Sequence, residues 1–157
     1  MTTLVIYASR YGCTADCADY LKAHLPGDTI LVDINQLSQP IAWETYDTVL
    51  IGGSVYVGKI AKKLRAFCEG NLEPLLQKKI GLFLCCAQTW QADEIFTANF
   101  PAALWQHATT RKTFGSEARL DKMSFLDRTI LKAVTKGDFS NFQISKENLD
   151  AFVREIR

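Results

Sequence analysis

The chain has little of what marks several large functional classes of protein. Its 157 residues include only two histidines and five cysteines, with no C-x-x-C pair, which argues against a structural zinc site and against a disulfide scaffold. Lys and Arg outnumber Asp and Glu by 18 to 17, so net charge gives no reason to expect nucleic-acid binding. No apolar run approaches the roughly 18 residues of a transmembrane segment, and the first one is too short for a signal peptide. We therefore expect a cytoplasmic location.

Two glycine-rich phosphate motifs, G-x-G-x-x-G and G-x-x-x-x-G-K-[ST], are also missing. The chain instead begins with an apolar strand pattern that runs directly into a hydroxyl-rich turn and then a helix pattern over 15–25. Helix N-termini bind phosphate through free amides and the helix dipole. In this turn Ser9 and Thr14 supply hydroxyls, and Gly12 tolerates positive φ. We therefore predict a phosphate site formed by Ser9, Arg10, Tyr11, Gly12, Cys13 and Thr14. A redox role for Cys13 stays open, since a helix N-terminus lowers a thiol pKa.

Apolar strand patterns alternate with helix patterns along the chain. Strands are predicted over 4–8, 29–33, 48–53, 80–85 and 110–118, and helices over 14–25, 59–69, 92–100, 103–108, 124–135 and 145–156. Strands that are apolar throughout indicate a parallel sheet covered on both faces. We predict a single domain over 1–157, a doubly wound three-layer α/β sandwich with five parallel strands. Cys85 and Cys86 are neighbours at a strand end and should point to opposite faces.

Ligands of such sheets bind at the carboxyl ends of the strands, near the point where strand order reverses. Two further loops should therefore join the first turn. The loop after strand three contributes Ser54, Val55, Tyr56, Val57 and Gly58, and the loop after strand four contributes Cys86, Ala87, Gln88 and Trp90. Tyr56 and Trp90 are candidate walls for a flat ring, and Gly52, Gly53 and Gly58 are candidates for close backbone approach or for a turn.

The Ser-x-Tyr-Gly-x-Thr turn resembles the phosphate loop of flavodoxins. Ile51-Gly52-Gly53-Ser54, the segments 120–128 and 136–138 and the C-terminal residues 151–156 are similar to the flavodoxin-like branch that contains menaquinone-dependent protoporphyrinogen oxidase. The resemblance implies a flavodoxin-like sheet of order 2-1-3-4-5 with FMN as cofactor. Those oxidases carry an extra basic loop before the helix near Leu120, where this chain is shorter.

Three functions stay open at this point. The first is electron transfer through bound FMN, with a redox partner protein or a quinone. The second is an FMN-dependent oxidoreductase acting on protoporphyrinogen or a quinone, and the third is a binding module without FMN. The oligomeric state stays open as well.

The segment 109–136 carries seven Lys or Arg and three Asp or Glu. Met123, Ile130, Leu131 and Val134 form an apolar stripe on a predicted helix, while basic residues recur on another face. An amphipathic core helix with a solvated basic face is the preferred interpretation, and peripheral membrane contact is the alternative.

Overall fold

A computed structural model describes residues 1–86, 91–117, 119–137 and 143–157 of the chain. The strands are β1 (Thr2–Ala8), β2 (Asp28–Asp33), β3 (Thr48–Ser54), β4 (Lys79–Cys85) and β5 (Thr110–Thr113). The helices are α1 (Cys13–His24), α2 (Lys62–Gly70), α3 (Leu72–Leu75), α4 (Ala92–Asn99), α5 (Ala102–His107), α6 (Phe125–Thr135) and α7 (Lys146–Ile156). Among the described residues, no helix combines the length and apolarity that crossing a bilayer requires.

All five strands are parallel, in the order β2-β1-β3-β4-β5, which confirms the predicted sheet. Val5 in β1 lies opposite Leu31 in β2 and Leu50 in β3. The chain leaves β1 towards β2 on one side, and later strands add on the other side from β3 onwards. The carboxyl ends of β1 and β3 therefore flank the point where strand order reverses.

Alternate residues along the strands face two separate apolar clusters. Ile51 and Leu82 face the cluster covered by α2, α4 and α5, whereas Leu50 and Phe83 face the cluster covered by α1 and α7. Burial on both faces explains why the central strands are apolar throughout. Cys85 belongs to the α1–α7 cluster and Cys86 to the other one, which confirms that these neighbours point to opposite faces.

Two predicted elements are shorter in the structure. β5 ends at Thr113 rather than extending to Ala118, because Gly115 turns the chain with φ +76° and forms an isolated antiparallel bridge with Ile144. Ala118 itself lies outside the described residues. The helix after β3 begins at Lys62 rather than Lys59, since Tyr56 and Lys59 instead close a tight hairpin turn.

Gly52 makes room for an aromatic ring rather than for a ligand. It pairs with Phe83 across β3 and β4, and a β-carbon at Gly52 would lie 2.2 Å from that ring. Phe83 is fully buried and packs against Phe114 and Phe152 at centroid distances of 5.1 and 5.9 Å. The expectation that Gly52 lets the backbone approach a ligand is therefore replaced by a packing role.

Gly52→Ala is expected to lower the free energy of unfolding by about 2 kcal/mol, the usual effect of overpacking a core. Urea denaturation measures the change, with Gly70→Ala as control because nothing outside its own helix and chain neighbours lies within 4 Å of the β-carbon position there. Phe83→Leu removes the opposing ring, so in that background Gly52→Ala should cost less than half as much. Equal costs in the two backgrounds would contradict the proposed packing role.

Candidate functional site

The β1–α1 loop organises its own backbone through one side chain. Ser9 Oγ accepts hydrogen bonds from the amides of Gly12, at 3.0 Å, and Ala15, at 3.3 Å. Gly12 precedes α1 with φ +94°, a conformation that other residues adopt only at a cost. The loop therefore enters the helix through a left-handed glycine, and the start of α1 supplies partial positive charge there.

Two hydroxyl groups join this loop to the end of β3. Thr14 Oγ1 lies 2.7 Å from Ser54 Oγ, and the amide of Arg10 donates to the same Ser54 oxygen at 3.3 Å. Thr14 is fully buried, whereas Ser54 is half-buried and reaches the cleft described next. This hydroxyl pair joins the loop after β1 to the end of β3, at the point where the strand order of the sheet reverses.

A cleft of about 740 Å³ opens beside this pair, a volume typical of small-molecule sites. Ser9 and Ser54 line it together with three basic residues, Arg10, Lys59 and Lys62. None of the described residues that line the cleft is acidic. This combination of hydroxyl donors and positive charge suits an anionic ligand.

The hairpin after β3 presents an aromatic ring to the cleft. Tyr56 and Lys59 exchange backbone hydrogen bonds of 2.8 and 3.1 Å around Val57 and Gly58. Both central residues have positive φ, 50° at Val57 and 74° at Gly58, as a type I′ turn requires. Val57 is β-branched and 74% exposed, so backbone strain is held at the rim of the cleft. Gly58 serves the turn itself, since nothing beyond its chain neighbours lies within 4 Å of its β-carbon position.

Asp127, from α6, is the principal site residue that the sequence did not reveal. Its carboxylate accepts hydrogen bonds from Arg10 Nη2 at 2.6 Å, Arg10 Nε at 3.1 Å and the hydroxyl of Tyr56 at 2.8 Å. The hydroxyl of Tyr11 also donates to it. The Asp127 side chain is only 6% exposed, and the Arg10 guanidinium lies 4.0 Å from the centroid of the Tyr56 ring. These contacts fasten α6 to both site loops.

Apolar packing contributes less to holding α6 than the sequence suggested. Among the described side chains of this helix, Asp127 alone is buried, and Ile130 and Leu131 are only half-buried. Phe125 and Leu126 are 80% and 66% exposed. Of the expected apolar stripe, Met123, Ile130 and Leu131 are half-buried, and the side chain of Val134 lies outside the described ones. The buried anchor among the described side chains of α6 is the Asp127 carboxylate.

Arg119 supports the β1–α1 loop from outside. Its Nη1 donates to the carbonyl of Tyr11 at 3.4 Å, and its Nη2 bonds Asp16 at 2.5 Å. The hydrogen bond to Asp16 raises the pKa of Arg119. A β-carbon at Gly12 would lie 2.8 Å from Arg119 Nη1, so the glycine also leaves space for this contact. Arg119 and Asp127 lie more than 100 residues from the loop, and no local motif indicates either contact.

A family model described as Flavodoxin domain matches residues 4–143. The chain belongs to the flavodoxin domain family. Its fold is similar to that of oxidised flavodoxin 1 from Bacillus cereus, with a TM-score of 0.59, 13% identity, and coverage of 99% of this chain and 97% of that one. A flavoprotein in complex with FMN from Lactobacillus acidophilus gives a TM-score of 0.54 at 17% identity, covering 73% and 90% of the two chains.

The flavodoxin-domain chain also matches a curated relative over part of its length. It is 32% identical over 72 residues to protoporphyrinogen IX dehydrogenase [quinone] of Escherichia coli strain K12. The match covers 44% of this chain and 39% of the relative, so it spans about two fifths of the length of that protein.

The structure divides the predicted site residues of this flavodoxin domain into three groups. The cleft brings together Ser9, Arg10, Ser54, Tyr56 and Val57, and it adds Asn35, Lys59 and Lys62, which were not among the predicted site residues. Tyr11, Gly12, Cys13, Thr14 and Gly58 belong to adjoining loops and the start of α1, while Val55 and Cys86 pack in or against the apolar cluster covered by α2, α4 and α5. Ala87, Gln88 and Trp90 lie outside the described residues.

Cys13 faces inwards, behind the β1–α1 loop. It is 6% exposed and packs in the α1–α7 cluster with Cys17 and Cys85. Hydrogen bonds from the thiols of Cys17 and Cys85 lower the pKa of Cys13, and the Cys13 sulfur in turn raises the pKa of both partners. The described free cysteines are all buried.

Proposed function

We propose that this flavodoxin-domain protein binds FMN in the cleft and transfers electrons through it. The observation that carries the proposal is the composition of the cleft: two hydroxyls, three cations and an aromatic ring at the reversal point of the sheet. FMN joins a phosphate to a flat ring system, and these residues match both parts.

Each part of the cleft has a distinct task in this proposal. Ser9 and Ser54 supply hydroxyls for the phosphate, and Thr14 holds Ser54 in place. Lys59 and Lys62 offset its negative charge, whereas the charge of Arg10 is already paired with Asp127. The Tyr56 ring offers a stacking surface. Bound FMN would supply the redox chemistry, and the protein would bind and orient it.

The first experiment is a fluorescence titration of the purified protein with FMN and, in parallel, with riboflavin. Riboflavin lacks the phosphate, so it separates recognition of that group from stacking of the ring. We expect saturable quenching with FMN and at least tenfold weaker binding of riboflavin, about 1.4 kcal/mol or more. Equal affinities for FMN and riboflavin would mean that the loop over 9–14 does not bind the phosphate. A protein that ignores both flavins would instead be a flavodoxin-shaped binding module.

The second candidate is an FMN-dependent oxidoreductase acting on protoporphyrinogen or a quinone. The partial match to protoporphyrinogen IX dehydrogenase [quinone] favours it. Turnover of protoporphyrinogen with menaquinone as acceptor tests this activity, and flavin reduction without turnover would favour the electron carrier.

The proposal includes an electron-transfer partner, either a redox partner protein or a quinone, and a cytoplasmic location. Peripheral membrane contact through segment 109–136 is the corresponding proposal for a quinone acceptor, since Lys122, Phe125 and Leu126 are exposed there.

Tyr56→Ala is expected to weaken FMN binding up to about tenfold and to shift the visible flavin spectrum, because the change removes a stacking ring worth roughly 0.5–1.5 kcal/mol. Fluorescence titration and visible absorption measure the two effects. Tyr56→Phe is the matched variant: it keeps the ring and removes only the hydroxyl that donates to Asp127. Similar losses in the two variants would assign the effect to the hydroxyl rather than to the ring.

A further inference from the structure

Three cysteines converge behind the phosphate loop, outside the cleft. Cys13 and Cys17 lie one turn apart on α1, and Cys85 ends β4. Their sulfur atoms all lie within 4.8 Å of one another, and the Cys85 thiol donates to the Cys17 sulfur at 3.8 Å. The proposed function uses none of these three thiols.

The spacing of the three sulfurs suits a single central atom. A metal–thiolate bond is about 2.3 Å long, so three sulfurs bound to one atom lie roughly 3.5–4 Å apart. Small side-chain rotations would bring the sulfurs from their present spacing to this one. Among the described residues, no imidazole or carboxylate joins the cluster, so the donor set is all sulfur. Such a set selects soft, thiophilic ions.

The burial of the three cysteines limits the net charge that a complex of their thiolates with a central atom can carry. Cys13, Cys17 and Cys85 are 6%, 3% and 2% exposed, and they pack in an apolar cluster with Ala18 and Phe114. A buried net charge is costly unless a partner offsets it. The nearby cation that lowers the pKa of Cys13 is Arg119, and it is already paired with Asp16 and Glu117. Three thiolates around Cu⁺ would leave two negative charges, and around Zn²⁺ one. A trivalent centre leaves none.

We propose that Cys13, Cys17 and Cys85 form a binding site for a trivalent thiophilic metalloid of the arsenic(III) class. Arsenous acid, As(OH)₃, is uncharged at neutral pH. Each thiol proton leaves with one hydroxyl of arsenous acid, so three As–S bonds form, three As–O bonds break and three waters are released. Arsenic stays in the +3 state, and no oxidant or reductant is needed. The inference is independent of FMN binding.

The test uses the reduced full chain and sodium arsenite without oxygen. Native mass spectrometry should show one arsenic gained and three hydrogens lost, and X-ray absorption at the arsenic edge should count three sulfur neighbours. A net gain of one arsenic and one oxygen with the loss of one hydrogen, the mass of two As–S bonds and a retained hydroxyl, would overturn the three-thiolate site. Zn²⁺ bound stoichiometrically at the cluster, with no uptake of arsenite, would overturn the charge argument.

Variants separate the cluster from the other cysteines. Cys17→Ala should lower the affinity for arsenite at least tenfold and abolish the loss of three hydrogens. Cys68→Ala is the matched control, since Cys68 is fully buried in the opposite core, and it should leave both readouts unchanged. Undiminished binding in Cys17→Ala, or loss of binding in Cys68→Ala, would overturn the proposal. If Cys17→Ala does not fold, the sulfur count of the wild-type complex decides alone.

Discussion

Thr14→Val is expected to weaken FMN binding roughly tenfold to a hundredfold, a loss on the order of 1.5–3 kcal/mol. Thr14 lies in the first turn of α1, and its hydroxyl pairs with Ser54 at 2.7 Å. Valine keeps the shape of the fully buried side chain but leaves Ser54 without that partner. In the proposed complex Ser54 bonds the phosphate, and a hydrogen bond to that charged group is stronger than one between neutral groups. Loss of the partner that positions Ser54 should therefore cost the FMN complex more than the free protein.

Parallel titrations with FMN and riboflavin measure this effect. If the Thr14–Ser54 pair serves the phosphate, Thr14→Val should weaken FMN binding and barely change riboflavin binding. Thr14→Ser keeps the hydroxyl and should retain most of the preference for FMN. Equal losses for both flavins would show that Thr14 only supports the fold of the loop. An unchanged affinity for FMN would separate the pair from the ligand altogether.

The fold could be predicted because its determinants are local. Each central strand is an apolar run buried on both faces, and each alternates with a helix pattern of ordinary length. The length of β5 could not be read in the same way. Its end depends on the bridge between Gly115 and Ile144, two residues far apart in sequence. Pairing of this kind leaves no signal in the local pattern.

The site shows the same contrast between local and long-range determinants. The turn over 9–14 is a contiguous motif, so its place between β1 and α1 was predictable. Asp127 is 117 residues from Arg10 and was hidden in a helix whose apolar spacing suggested a core element. Spacing shows which face of a helix is apolar. It does not show whether the rest of the protein offers a surface to cover that face, and for α6 the anchor is a carboxylate instead.

Asp127→Ala is expected to lower the free energy of unfolding by on the order of 3 kcal/mol, because four hydrogen bonds to one carboxylate are lost. The Arg10 side chain is 44% exposed and can be hydrated, which keeps the cost below that of a fully buried ion pair. Urea denaturation measures the loss. Asp121→Ala is the control, since Asp121 is exposed in the segment just before α6.

Asp127→Asn is expected to raise the affinity for FMN about tenfold, or 1.4 kcal/mol. The carboxylate neutralises Arg10, one of the three cations of the cleft, through contacts of 2.6 and 3.1 Å. Asparagine keeps the size of the side chain but removes its charge, so the charge of Arg10 becomes available to the phosphate. Fluorescence titration at low and high salt measures the gain, which should shrink as salt screens the phosphate.

Whether Asp127→Asn raises or lowers the affinity for FMN distinguishes two roles of Asp127 in the site. A gain for FMN without a gain for riboflavin would mean that the carboxylate competes with the phosphate for Arg10. FMN would then have to displace an existing ion pair, and α6 would loosen as the ligand binds. Weaker FMN binding in Asp127→Asn would contradict this prediction. Since Asp127 also bonds the hydroxyls of Tyr11 and Tyr56, such a loss would mean that the anchored helix holds both loops in the shape that binds the cofactor.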